Sequence, residues 1–110
     1  MTESEFLVQV EATLNTVEQA LEHLSNNDEI DVECERKGNV LEIEFIDNGS
    51  KIIVNSQAAM QELWLAAKSG GYHFKYKDNA WRNTRDSSEF FAALSKAVSD
   101  QGGVQVTLRP

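Results

Sequence analysis

Glu11, Glu18 and Glu22 stand seven and four residues apart, a spacing that places three carboxylates on one stripe of a helix. At about 100° per residue the stripe lies roughly a quarter turn from the centre of the apolar face, so it borders the buried side. Glu29, Asp31 and Glu33 open the next alternating segment and extend the acidic rim. Oxygen donors of this kind attract hard cations such as iron, magnesium or calcium, or a basic protein surface. The competing reading is an ordinary solvated helix face. His23 stands beside the stripe and could add an imidazole, although a lone exposed histidine is more often no ligand. Asn26–Glu33 has the look of a calcium loop but lacks the central glycine and the ligand spacing, and is rejected.

A second group is Asn55, Gln57, Trp64 and His73. Strand alternation sends Ile52 and Val54 to one side and Asn55 to the other, with Gln57 just past the strand end. Leu63 and Leu65 should face inward and push Trp64 outward. An exposed tryptophan among amides and an imidazole resembles an interface anchor. A one-residue slip would instead bury Trp64 in the core. Cys34 alternates inward with Ile30 and Val32, which makes it a weak nucleophile. No glycine-rich phosphate loop and no Cys/His metal spacing occurs.

The charge is divided along the chain. Residues 1–47 hold 13 of the 18 carboxylates and only Arg36 and Lys37 to oppose them, whereas the rest carries 8 basic and 5 acidic side chains. That negative field attracts cations or a basic protein and repels nucleic acid and anionic lipid. With 110 residues, 41% hydrophobic and 25% charged, the chain reads as one globular domain, residues 1–110. It has no apolar run long enough to span a membrane and no secretory signal at its acidic start. The lone Cys34 precludes an internal disulfide. Together these features fit a reducing cytoplasm.

The elements that must position these residues follow from periodicity. Phe6, Val10, Leu14, Val17, Leu21 and Leu24 define an amphipathic helix with a Thr2/Glu5 capping box, ending at Ser25-Asn26-Asn27. Alternation predicts strands over 30–35, 41–45, 51–55, 61–67, 72–77 and around Trp81, with turns at Lys37-Gly38-Asn39, Asp47-Asn48-Gly49, Gly70-Gly71 and Asp78-Asn79. Asp86 with Glu89 resembles a second capping arrangement. Phe91, Leu94 and Val98 mark a second helix ending near Asp100, and Val104–Leu108 reads as a last short strand. Short hairpin links demand antiparallel pairing. The expected fold is α+β: a two-layer sandwich with two helices on one face of an antiparallel sheet, the other face left wet.

The run Asn48-Gly49-Ser50-Lys51-Ile52-Ile53-Val54-Asn55-Ser56-Gln57, then Glu62-Leu63-Trp64-Leu65-Ala66-Ala67-Lys68, then Gly70-Gly71-Tyr72-His73-Phe74, closely resembles the frataxin family. The similarity runs through Trp81 to the second helix and covers almost the whole chain. It implies a frataxin-like sandwich that binds ferrous and ferric iron weakly on an acidic ridge and serves iron–sulfur cluster assembly. Members dock on the cysteine desulfurase and contact the scaffold protein, as regulators of desulfurase output or as iron donors. On this chain the ridge falls on Glu18, Glu22, Glu29, Asp31 and Glu33. The sheet-face contacts fall on Asn55, Gln57 and Trp64, with Glu11 and His73 as further partner-binding candidates. Gln19, His23, Asn26 and Asn27 stand where relatives often carry carboxylates, a departure that weakens the field.

The sequence therefore reads as a non-catalytic, iron-binding regulator, monomeric without iron, with no nucleic-acid or membrane partner. Two other classes compete. An acidic decoy inhibitor of a basic protein would use the ridge without needing Trp64 exposed. A ferroxidase would need a defined metal centre, against which the scattered carboxylates argue.

Overall fold

A computed structural model describes residues 1–110. Helix α1 (Glu3–Asn26) precedes six strands, β1 (Val32–Lys37), β2 (Val40–Phe45), β3 (Lys51–Gln57), β4 (Glu62–Ala67), β5 (Gly70–Lys77) and β6 (Ala80–Asn83), and helix α2 (Phe90–Gly102) follows. The strands pair in sequence order, each antiparallel to the next. Alternate strand residues, from Leu41, Ile43 and Phe45 through Ile52, Val54, Leu63, Leu65 and Phe74 to Trp81, share one buried cluster with Phe6, Val10, Leu14, Val17 and Leu21 of α1 and Phe90, Leu94 and Val98 of α2. Both helices thus cover one sheet face, as the periodicity predicts.

Helix α1 begins where the capping box places it. The Thr2 hydroxyl accepts from the Glu5 N–H at 3.1 Å, and Glu5 accepts from the Thr2 N–H at 2.8 Å. The bond from the Thr2 N–H, with the nearby Thr2 hydroxyl, holds the Glu5 carboxyl below the usual range. The helix touches both edges of the sheet. On β6, the buried Trp81 Nε1 donates to the Thr13 hydroxyl at 2.8 Å. On β1, Arg36 reaches Glu11 and Glu18.

Several expected boundaries move. Strand β1 starts at Val32, so Glu29 and Asp31 lie in the connection before it, although Ile30 is still buried. Gln57 closes β3 opposite Glu62 instead of lying beyond it. Gly70 and Gly71 are not a turn but the first residues of β5, paired with Ala67 and Ala66. The α2 cap is Glu89, whose carboxylate accepts from the Phe91 N–H at 2.8 Å. Asp86 instead closes its own turn on Ser88, through bonds of 2.9 and 2.6 Å that keep its carboxyl below the usual range. The helix runs to Gly102 and stops at Gly103, where φ is +72°. A Cβ at Gly102 would lie 2.6 Å from Cδ1 of Ile30, so glycine lets the helix end close onto the β1 entry.

Residues 104–108 do not form a strand. They lie along α2, held by two serines one turn apart. The Ser99 hydroxyl accepts from the Val106 N–H and donates to the Val106 carbonyl, both at 3.0 Å. Ser95 does the same for Leu108 at 2.8 and 3.2 Å. Side-chain hydroxyls thus replace the neighbouring strand that the alternation implied, while Val106 and Leu108 still enter the core.

Candidate functional site

The acidic stripe on α1 is not uniform. Glu11, Asn15 and Glu18 turn toward the end of β1, where Arg36 meets all three. Its NH2 lies 2.6 Å from Glu11 Oε2, its NH1 3.2 Å from Glu18 Oε1, and its Nε donates to the Gly38 carbonyl at 3.2 Å. The Arg36 side chain is only 15% exposed, so the guanidinium is built into the helix–strand seam.

One turn further, the stripe opens. A cleft of about 270 Å³ is lined by Glu18, Glu22, Ser25, Asn26, Val32 and Cys34. Burial, then Glu18 and Glu22, push the Cys34 thiol up to about 11, so it stays protonated and is no nucleophile at neutral pH. Beyond it a hollow of about 370 Å³ gathers Asp28, Glu29, Asp31 and Asp47. No three His, Cys, Asp or Glu side chains converge into a cage for a metal ion. An ion here would keep most of its water and take one or two carboxylates at a time.

The open sheet face carries the second group. Asn55, Trp64 and His73 stand in one row across β3, β4 and β5. The Trp64 indole lies flat on the His73 ring. Next to them Gln57 and Lys75 flank Glu62. Glu62 shares the solvent-facing parity of Trp64, yet its side chain is only 5% exposed. Its Oε1 accepts from the Trp64 Nε1 at 2.8 Å and lies 3.3 Å from His73 Nδ1, and its Oε2 lies 3.6 Å from Lys75 Nζ. A carboxylate so far from water is tolerable because donors surround it. Charge is graded across this face: Glu33, Glu35, Glu42 and Glu44 occupy β1 and β2, and Lys75, Lys77 and Arg82 occupy β5 and β6.

A family model described as a frataxin-like domain matches residues 1–104. The chain belongs to the frataxin family. It is 70% identical over 109 residues to the iron–sulfur cluster assembly protein CyaY of Herminiimonas arsenicoxydans, covering 99% of this chain and 97% of that one. It is 68% identical over 109 residues to the protein of the same name from Janthinobacterium sp. (strain Marseille), with the same coverage of 99% and 97%. The frataxin from Psychromonas ingrahamii has the same fold, with a TM-score of 0.80 and 31% identity over 100% of both chains. The trimeric frataxin from the yeast Saccharomyces cerevisiae, complexed with ferrous iron, matches at a TM-score of 0.72 and 24% identity, covering 86% of this chain and 85% of that one.

On this frataxin scaffold the ridge candidates separate into four places. Glu11 and Glu18 are bound by Arg36, Glu22 borders the Cys34 cleft, and Glu29 and Asp31 line the distal hollow. Glu33 turns to the open sheet face opposite Glu44. His23 contacts Asn27, at 3.1 Å, rather than a carboxylate of the stripe. Three residues were not singled out from the sequence. Arg36 was counted as a charge only, although its parity with Val32 and Cys34 puts it on the helix-covered face. Glu62 reads as a solvent-facing residue before Leu63, and only the folded row shows it buried. Asp47 lies in the turn after β2, which the β1–β2 register brings back beside Asp31, where the Ile46 N–H donates to the Asp31 carbonyl at 3.1 Å.

Proposed function

We propose that this frataxin is a non-catalytic, iron-binding regulator or iron donor of iron–sulfur cluster assembly, acting in the cytoplasm and docking on a cysteine desulfurase and its scaffold protein. The place in cluster assembly is supported by the relatives, which are named for that process and not for an enzyme. The iron and docking roles are supported by one observation: from Glu22 to Asp47 the ridge bears carboxylates that no basic side chain neutralises, because Arg36 is spent on Glu11 and Glu18. Such a surface loads hard cations from a pool and releases them, which is what delivery or sensing of iron requires. Affinity should be micromolar or weaker, on the order of −8 kcal/mol at most in magnitude. The same carboxylates fit a basic patch on the desulfurase, and the Trp64–His73 platform supplies a flat, anchored contact for the scaffold.

The test is a pull-down from native cytosol with the full chain, with and without ferrous iron, followed by association measured against purified desulfurase. Recovery of the desulfurase, with binding that weakens as salt rises and with Glu22→Lys, is the expected result. Absence of any desulfurase contact in both conditions would exclude the docking role.

A further inference from the structure

Arg36 is the one cation seated on the ridge. It comes from the end of edge strand β1, crosses to α1, and engages three side chains spaced like successive turns: Glu11, Asn15 and Glu18. Its fourth contact, from Nε to the Gly38 carbonyl, fixes the plane of the fork. A guanidinium held on four acceptors and largely shielded from water is pre-organised, and another cation must displace it to reach the same carboxylates. Lys37, the next residue and the only other basic side chain before residue 48, pairs with Glu35 on the opposite side of the strand. It therefore cannot extend this neutralisation toward Glu22.

We infer that Arg36 is an internal counter-ion that closes the Glu11–Glu18 half of the ridge to external cations and directs them to the half beginning at Glu22. It is a specificity-determining residue: it decides where on the ridge positive charge is accepted, whether from a metal ion or from a basic partner. The occupied half is also mechanically committed, because the same bonds fasten the edge strand to the helix. The inference rests on the cation-binding reading of the ridge and specifies its regulation.

Manganese(II) is a suitable probe, as a hard, redox-stable dication. Its uptake by the full-length chain would be followed by calorimetry and by paramagnetic line broadening, for wild type, Arg36→Gln, Arg36→Lys, and Arg36→Gln combined with Glu11→Gln. Removing one positive charge a few ångströms from a dication should make uptake by Arg36→Gln roughly tenfold tighter, or add a site of that strength. Broadening should spread toward Glu11, and the gain should vanish when Glu11→Gln is added. Arg36→Lys, which keeps the charge but loses the fork, should fall between and guards against a folding defect in the glutamine variant. Unchanged uptake in Arg36→Gln, or a gain indifferent to Glu11→Gln, overturns the inference, as does wild-type broadening already centred on Glu11. Wild type that takes up no ion while Arg36→Gln does would keep the counter-ion role of Arg36 but overturn both the direction of cations to Glu22 and the iron-binding reading, whereas unchanged uptake in Arg36→Gln overturns the inference and leaves that reading standing.

Discussion

Trp64 and His73 are stacked, with ring centroids 4.3 Å apart and planes 7° from parallel. The indole is neither free nor part of the core: its face rests on imidazole and its N–H is tied to the buried Glu62. Such a side chain is held in one orientation before any partner arrives, which lowers the ordering cost of binding.

Replacing it separates stability from recognition. Trp64→Ala should cost about 1–2 kcal/mol of folding free energy, the scale of a lost aromatic pair and one hydrogen bond, against about 3–5 for a fully buried tryptophan. Binding to the assembly machinery should weaken by about 2 kcal/mol or more if the indole is a central anchor. Thermal melts and titrations with desulfurase and scaffold measure both. A large stability loss with binding intact would assign the residue to packing alone.

Trp81 predicts the reverse balance. Its Nε1 bond to Thr13 is buried, and its ring meets Phe6 and Tyr76 edge to face. Trp81→Phe should destabilise by about 1–3 kcal/mol through a smaller ring and a lost buried bond, with no change in cation uptake. Thr13→Val should give a similar loss, and the double variant less than the sum, because both changes remove the same bond.

The Cys34 thiol gives a pH signature. Its ordinary value of 9.0 rises to about 11 in the folded chain. Between those values the unfolded chain has released the proton while the folded chain retains it, so stability falls as pH rises through that window. Cys34→Ser should lack this part of the alkaline decline in a denaturant titration. Alkylation of wild type at pH 8 should be slow, and Glu18→Gln with Glu22→Gln should accelerate it by lowering the thiol value.

The two serines of α2 are expected to govern the last residues of the chain. Ser99→Ala leaves the Val106 N–H and carbonyl without their partner, and Ser95→Ala does so for Leu108. Each should cost about 1–3 kcal/mol, and amide exchange at Val106 and Leu108 should rise before exchange elsewhere in the sheet. Unaltered exchange in the double alanine variant would mean that the side chains of Val106 and Leu108 alone retain this segment.

The misreading of that segment shows what periodicity can and cannot tell. Alternation at Val106 and Leu108 marks which side chains are buried, and they are. It is silent on who supplies the backbone hydrogen bonds, and a helix bearing hydroxyls one turn apart serves as well as a strand. The sheet itself was legible because short turns leave little choice of neighbour, and Trp64 falls on the open face, opposite Asn55, because Leu63 and Leu65 claim the core. The charge relations were less legible. Arg36 lies 18 to 25 residues from its carboxylate partners, a distance across which sequence pattern carries no pairing information.

The seating of α1 on both sheet edges has a consequence for how the molecule comes into being. Each hairpin of the sheet closes over a few residues, so strand pairing carries little loop-closure entropy and can proceed as the chain emerges. The contact between Thr13 and Trp81 spans 68 positions, and Trp81 is made among the last third of the residues. The β1 seat, 18 to 25 residues away, can form early, but the β6 seat waits until Trp81 has left the ribosome. A nascent chain can hold its acidic helix by the β1 edge alone, and only the completed molecule clamps it at both edges of the sheet.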